Sequence, residues 1–188
     1  MTKPNQSQAA SRRSGLAGLF VRNRSGSTAV EFSLLALPFA ALVFAILESC
    51  ISFAGQQVMS NITDDIARQI RTGQLKPADL TQATLKKMIC DELEIMVAKD
   101  CPGLEVDLRE FPTFEAAAQV RIRLTADRDL NTSDFAVTPG LSMSKNMLRV
   151  FYKWPVITDF MSKLMSNLKD GKTLHFATVT WQNEPFDD

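Results

Sequence analysis

The stretch SGSTAVEFSLLALPFAALVFAILESCISFA, residues 25–54, decides how this chain is organised. Gly26 is followed five residues later by Glu31, and the apolar run from Phe32 to Ala54 carries one further charge, Glu48. A helix needs about 20 residues, at 1.5 Å each, to cross the hydrocarbon core of a bilayer. The run therefore predicts a single transmembrane helix from Phe32 to Ala54, with Glu48 at its outer interface.

The charges that flank this run predict its orientation. All the charged side chains that precede Ser27 are basic: Lys3, Arg12, Arg13, Arg22 and Arg24. Because basic flanks remain in the cytoplasm, we expect the N-terminus inside and residues 55–188 outside. The whole chain has 21 basic and 21 acidic residues, so the remaining 16 basic residues leave residues 27–188 with a net charge of −5. This acidic balance gives no support to nucleic-acid binding.

Two short motifs carry a resemblance to a known family. Gly26-Ser27, followed by Glu31-Phe32, resembles the processing site of class III signal sequences in prepilins and pseudopilins. The string AVEFSLLALPF, residues 29–39, is similar to the N-terminus of TadE-like pseudopilins of the tight-adherence (Flp-type) pilus system. WQNEPF, residues 181–186, is similar to the C-terminal ends of many of those proteins.

The resemblance implies a structural pilus-assembly protein rather than an enzyme. It implies residence in the bacterial inner membrane as a single-pass protein, with the N-terminus cytoplasmic and the C-terminal domain periplasmic. A prepilin peptidase, other pseudopilins and the assembly machinery are the implied partners. Neither a cofactor nor a small-molecule substrate is expected.

The chemistry of the motif fits this resemblance. Gly26 has no side chain to obstruct a peptidase, and cleavage after it would remove a basic leader, residues 1–26. Ser27 would then carry a new ammonium group, and the Glu31 carboxylate would belong to the fifth residue of the shortened chain. A carboxylate at a membrane edge is costly unless an opposite charge is near it. The resemblance implies that this Glu offsets the N-terminal charge of a neighbouring subunit.

Two other interpretations of the same stretch stay open. Ser52-Phe53-Ala54 fits the cleavage site of an ordinary secretory signal peptide, although the apolar run exceeds the roughly 7–15 residues usual for such a signal. An uncleaved anchor is the second alternative. The chain would then be a membrane-tethered periplasmic sensor or enzyme, with the same topology.

Periodicity predicts that residues 55–188 form one α+β domain behind an extended stalk helix. Val58, Ile62, Ile66 and Ile70 recur every four residues, which predicts an amphipathic continuation of the membrane helix that ends at Gly73. A second helix is predicted to start at Pro77-Ala78-Asp79, with an apolar stripe made of Leu85, Met88, Ile89, Leu93, Met96 and Val97.

Alternation predicts an antiparallel sheet of about four strands. The predicted strands are residues 104–110, 117–125, 148–154 and 173–182. A further helix is predicted to open at Pro155 and to end at Asp170-Gly171. Residues 126–146 are polar and predict a long connection without an element.

Cys90 and Cys101 would lie outside the membrane, in an oxidising compartment. Two cysteines there most simply form one disulfide, worth roughly 3 kcal/mol on the chain-entropy model. A metal or redox pair is the alternative, but the CxxC spacing is absent and His175 is the only histidine. Cys50 is expected to be an unpaired membrane residue.

Catalytic motifs are absent from the sequence: GxSxG, HExxH, the P-loop and the dinucleotide fingerprint do not occur. A lone histidine in a predicted strand, His175, indicates packing or surface. Asp127, Asp129 and Asp134 could bind calcium, but the EF-hand spacing is missing and turn chemistry alone accounts for aspartates in a loop. The sequence therefore predicts neither a catalytic site nor a metal site.

Overall fold

The computed structural model describes residues 26–187, and the chain divides into two units, Met1–Phe44 and Ala45–Asp188. The predicted basic leader lies outside the described residues except for Gly26. One helix, α1 (Ser27–Arg71), runs through the boundary between the units and contains Pro38. It ends where predicted, because Gly73 adopts a φ of +72° and its N–H donates to the carbonyl of Ile70.

The second unit holds a four-stranded mixed sheet with the order β2-β1-β3-β4. The strands are β1 (Leu104–Phe111), β2 (Val137–Thr138), β3 (Lys145–Pro155) and β4 (Lys172–Gln182). The β1–β3 and β3–β4 pairs are antiparallel, and β1–β2 is parallel. Together with its helices, this confirms the α+β class and three of the four predicted strands.

Three further helices complete the second unit. Helix α2 (Gln82–Leu93) begins after Thr81, whose hydroxyl accepts from the N–H of Thr84. Helix α3 (Phe114–Ala118) and helix α4 (Asp159–Met165) have threonine caps of the same kind, at Thr113 and Thr158. Short 3-10 turns lie at Pro77–Asp79 and Lys169–Gly171.

The core lies between one face of the sheet and two helices. The second half of α1 contributes Met59, Ile62, Ile66, Ala67 and Ile70, and α2 contributes Leu85, Ile89 and Leu93. They pack against alternate strand residues, including Val106, Leu108, Leu148 and Val150. The four-residue period of the stalk and the stripe of the second helix therefore correspond to real buried faces.

The predicted strand at 117–125 is wrong. Residues Glu115 to Ala118 are good helix formers behind the Thr113 cap, so α3 takes the start of this segment. Beyond it, Ile122 and Leu124 are exposed, and one isolated bridge, Leu124 to Leu130, is formed. The alternation of apolar and polar residues in this segment was therefore not enough to make it a strand, because the segment has no extended partner in the sheet.

The fourth strand instead comes from the connection that was predicted to lack an element. Val137–Thr138 pairs with Leu108 and Arg109 in the parallel direction, so the sheet is mixed rather than antiparallel. The two helix starts also differ from prediction. Pro77 opens a 3-10 turn and Pro155 ends β3, and each helix begins a few residues later at a threonine cap.

Candidate functional site

The candidate processing motif stands at the start of α1. Gly26 is exposed, and a Cβ placed on it would meet no atom of the described residues within 4 Å. Val30 and Phe32 follow with exposures of 61% and 71%. The described residues therefore leave Gly26 unobstructed.

The first half of α1 exposes apolar side chains on every side. Its exposed large hydrophobic residues are Val30, Phe32, Leu34, Leu35, Leu37, Phe39, Leu42 and Phe44. Among the described residues α1 is the one helix long and apolar enough to cross a membrane. A helix that is apolar all round needs lipid or other helices around it.

Within the second unit, the rest of the domain contacts α1 from Glu48 onward. Glu48 is 9% exposed, and its carboxylate accepts from the backbone N–H of Ile157 and Thr158. Its second oxygen accepts from the Thr158 hydroxyl at 2.6 Å. Besides its predicted place at the outer end of the apolar run, Glu48 therefore has a structural role, because its carboxylate caps the start of α4.

Residues 26–68 match the family model of TadE-like proteins. The matched TadE-like segment comprises the exposed apolar half of α1 and most of its buried half. The match agrees with the resemblance read from residues 29–39 and indicates a protein associated with the Tad pilus. No curated protein and no solved structure matches the chain.

The TadE-like segment also contributes Ser52 to a contact with the only histidine. Ser52 Oγ lies 3.0 Å from His175 Nε2, and the imidazole stacks on Trp154 with ring centroids 5.0 Å apart. Burial lowers the pKa of His175 below its ordinary value. Both side chains are less than a tenth exposed, so this serine–histidine pair packs the domain onto α1 rather than meeting a substrate.

The loop aspartates do not form a cluster. Asp129 pairs with Lys153 at 2.6 Å and with Lys169 at 3.5 Å, and the hydrogen bond from Lys153 lowers the pKa of its carboxyl group. Asp134 pairs with Arg123 at 3.3 Å. The negative charges of Asp129 and Asp134 are thus balanced by lysine and arginine side chains, and no calcium ion is needed to explain them.

The predicted disulfide is confirmed: Cys90 and Cys101 are bonded, with their Cα atoms 5.7 Å apart. Glu94 lies close enough to both sulfurs to suggest a metal site on distance alone. Sulfurs joined in a disulfide are not thiolates, however, so they cannot serve as the ligands of such a site. Cys50 is free and exposed on α1.

A buried charge cluster escaped the sequence analysis. Asp107 is fully buried on β1 and accepts from Arg149 on β3 at 2.7 Å and from Arg109 at 2.9 Å. Arg149 lies over the rings of Phe135 and Phe151, with its Nη1 buried and without a hydrogen-bond partner among the described residues. Asp107 and Arg149 are register partners, so only the pairing of two correctly predicted strands would have revealed them.

Proposed function

We propose that this chain is a membrane-anchored pseudopilin or minor pilin of a tight-adherence (Flp-type) pilus assembly system. The observation that carries the proposal is the exposure of the first half of α1. Its apolar side chains lack cover from the described domain, and they lie within the TadE-like segment. Lipid in the resting state and helices of other pseudopilins in the assembled state are the surroundings that such a helix needs.

A prepilin peptidase would mature the protein by cutting between Gly26 and Ser27. The exposed, unobstructed Gly26 supports this step. The new ammonium group of Ser27 would lie about one helical turn from Glu31. In an assembly, Glu31 would neutralise the ammonium of a neighbouring pseudopilin. The proposed site therefore comprises Gly26, Ser27, Glu31 and Phe32.

The proposed topology places residues 55–188 in the periplasm. The basic leader would hold the N-terminus in the cytoplasm, and a disulfide between Cys90 and Cys101 fits an oxidising compartment. Because Glu48 and Ser52 of α1 contact the rest of the second unit, we place the outer end of the hydrocarbon-crossing part near Leu47, within the predicted segment Phe32 to Ala54. Residues 28–47 would still span about 30 Å as a helix.

A tethered sensor or enzyme would need polar groups that converge on an open site. His175 is buried against Trp154, and Asp129 is held by two lysines. These contacts support the assembly role over the alternative.

The deciding experiment is intact-mass analysis of the native protein extracted from membranes. A chain that starts at Ser27 supports prepilin-type processing. A chain that starts at Gly55 would mean secretion and release, and the pseudopilin proposal would fail. An intact leader would mean an uncleaved anchor and would contradict the maturation step.

A bulky residue at the processing site provides a second test. Gly26→Phe should block cleavage, because a large side chain would obstruct the scissile bond. Gly18→Phe, eight residues earlier in the leader, is the matched control and should be processed normally. Normal processing of the Gly26 variant would contradict the assigned site.

The role of Glu31 is tested separately. Glu31→Ala should leave the chain cleavable but reduce pilus output several-fold, because the neighbouring ammonium would lose its counter-charge. Glu92→Ala removes an exposed carboxylate from α2 and serves as the control. Unchanged piliation in the Glu31 variant would count against the charge-pairing role.

A further inference from the structure

A second apolar surface lies on the unit that carries the sheet. Ile157, Phe160 and Leu164, in and just before α4, are 82%, 66% and 68% exposed. Phe160 and Leu164 are four residues apart and so lie on one face of the helix, and Ile157 lies two residues before its start. Met161 is 8% exposed and holds α4 onto the domain. Helix α4 therefore buries Met161 against the domain and leaves Phe160 and Leu164 without cover from the described residues.

Hydrogen bonds fix this helix beside one turn of α1. The start of α4 is held by the Glu48 carboxylate, through the N–H and hydroxyl groups of Thr158. Its last residue, Met165, lies with its sulfur 3.8 Å from the hydroxyl of Ser49. Both ends of α4 thus contact α1 at residues 48–49, directly after the apolar run.

A second loop brings another apolar side chain to the same end of the domain. Ile95 is 79% exposed, and the next residues, Met96 and Val97, line a cavity of about 420 Å³ together with Ile51 and Ile157. We refer to Ile95, Ile157, Phe160 and Leu164 as the apolar patch. Within the same unit, α1 also exposes Ile46, Leu47, Ile51 and Phe53, of which Ile51 lines this cavity.

We propose that the apolar patch lies in the boundary between headgroups and acyl chains of the bilayer that α1 crosses, and that it forms a second membrane contact. The inference rests on the proposed membrane anchor. A short helix with phenylalanine and leucine on one face and a lysine beside them, here Lys163, is suited to this boundary, because its apolar side chains enter the lipid while the ammonium stays among the headgroups.

The contact has a mechanical consequence. A single membrane helix leaves its attached domain free to tilt and to rotate about the helix axis. Two contacts, one through α1 and one through the apolar patch, would restrict both movements. Before assembly, the membrane-anchored domain would then present the same surface to neighbouring subunits.

The test uses the full chain with Cys50→Ser, so that a single new cysteine can carry an environment-sensitive NBD label while the disulfide stays intact. The labelled protein is reconstituted into vesicles of phosphatidylethanolamine and phosphatidylglycerol, with nitroxide on shallow acyl carbons as quencher. Phe160→Cys reports the patch. Leu141→Cys is the matched control, because Leu141 is also apolar and 58% exposed but lies just before β3, at the opposite end of that strand from Pro155.

We expect a blue-shifted emission and several-fold stronger quenching for the label at residue 160 than for the label at residue 141. Equal, water-like signals at both positions would overturn the inference. A label at residue 160 that is quenched by water-soluble agents in vesicles but shielded in native membranes would mean that a protein covers the patch, which also overturns it.

A label at Phe39→Cys separates this inference from the proposed anchor. Quenching at residue 39 without quenching at residue 160 would leave α1 in the membrane and remove only the second contact. No quenching at residue 39 would contradict the anchor itself. Phe160→Glu should abolish the shallow contact of a label at Ile157→Cys, and because Phe160 is exposed the domain should still fold; an unchanged signal would contradict the role of this face.

Discussion

At the scale of single residues, the chain places polar groups where they fasten α1 to the domain. Glu48 closes the start of α4, and Ser52 meets His175 one turn later. Each contact joins residues more than 100 positions apart in the sequence. Glu48 and Ser52 therefore have a structural role, because their hydrogen bonds hold α1 against the rest of the domain.

Loss of the Glu48 carboxylate should loosen α4. Glu48→Ala leaves two backbone N–H groups and one hydroxyl without their acceptor, which should cost about 2 kcal/mol of unfolding free energy. Hydrogen exchange at the amides of Ile157 and Thr158, measured in detergent, should accelerate. Glu92→Ala is the exposed control. Unchanged exchange at both amides would show that Glu48 does not hold the helix.

His175 should make the stability of the domain depend on pH near neutrality. Burial lowers the folded-state pKa of His175, so below about pH 6.5 the unfolded chain binds a proton that the folded chain resists. The free energy of unfolding should therefore fall as pH drops from about 7 through this window to the lower, folded-state pKa. His175→Gln should remove this dependence in denaturant titrations; a persisting slope would point to another group.

At the scale of elements, the close approach of α1 to the sheet depends on a missing side chain. Gly55 lies in the middle of α1, where a glycine normally costs a helix about 1 kcal/mol. A Cβ at this position would overlap the indole ring of Trp154. The helix accepts the weaker residue so that β3 can pack directly against it.

Replacing a glycine by alanine inside a helix usually stabilises the helix, but at Gly55 we expect the opposite. Gly55→Ala is expected to destabilise the domain by about 1–3 kcal/mol, because the Trp154 ring has to move within a packed core. Gln57→Ala, at an exposed position two residues on, should change stability by less than about 0.5 kcal/mol. Chemical unfolding followed by tryptophan fluorescence measures both. A stabilised Gly55 variant would contradict the close packing.

At the scale of the whole molecule, the core draws its residues from one unit. Every buried core residue lies at Met59 or beyond, and the described part of the first unit, residues 26–44, contributes none. The anchoring part and the folding part of the chain are thus separate along the sequence. Lipid or partner helices would cover the apolar side chains of the anchoring part. The apolar side chains of the folding part are covered by one another in the core.

A fragment that begins at Ala45 should therefore fold without the membrane-spanning part. In mild detergent, which covers the exposed apolar side chains that remain, it should unfold cooperatively at nearly the same denaturant midpoint as the full chain. A fragment from Thr63, which lacks Met59 and Ile62 of the core, is the control and should be much less stable. Loss of a cooperative transition in the longer fragment would contradict this separation.

Much of the fold follows from local patterns. An apolar run of membrane length, a four-residue period up to Gly73 and alternation along β1, β3 and β4 can be read without a partner, because each depends on neighbours in the chain. The disulfide could be predicted because two cysteines were expected to lie in an oxidising compartment. The misplaced strand at 117–125 shows the limit, because its alternation had no edge to pair with and its first residues favour a capped helix.

The sequence by itself determined that this protein has one apolar helix with a processing-like start, and an α+β domain behind it. Only the tertiary structure decided that Val137–Thr138 completes the sheet, that Glu48 belongs to the domain, and that Asp107 meets Arg149. It also decided that Ile157, Phe160 and Leu164 stay uncovered. The physical reason is that exposure and partnership depend on residues distant in the chain, whereas hydrophobic length and periodicity are properties of a single segment.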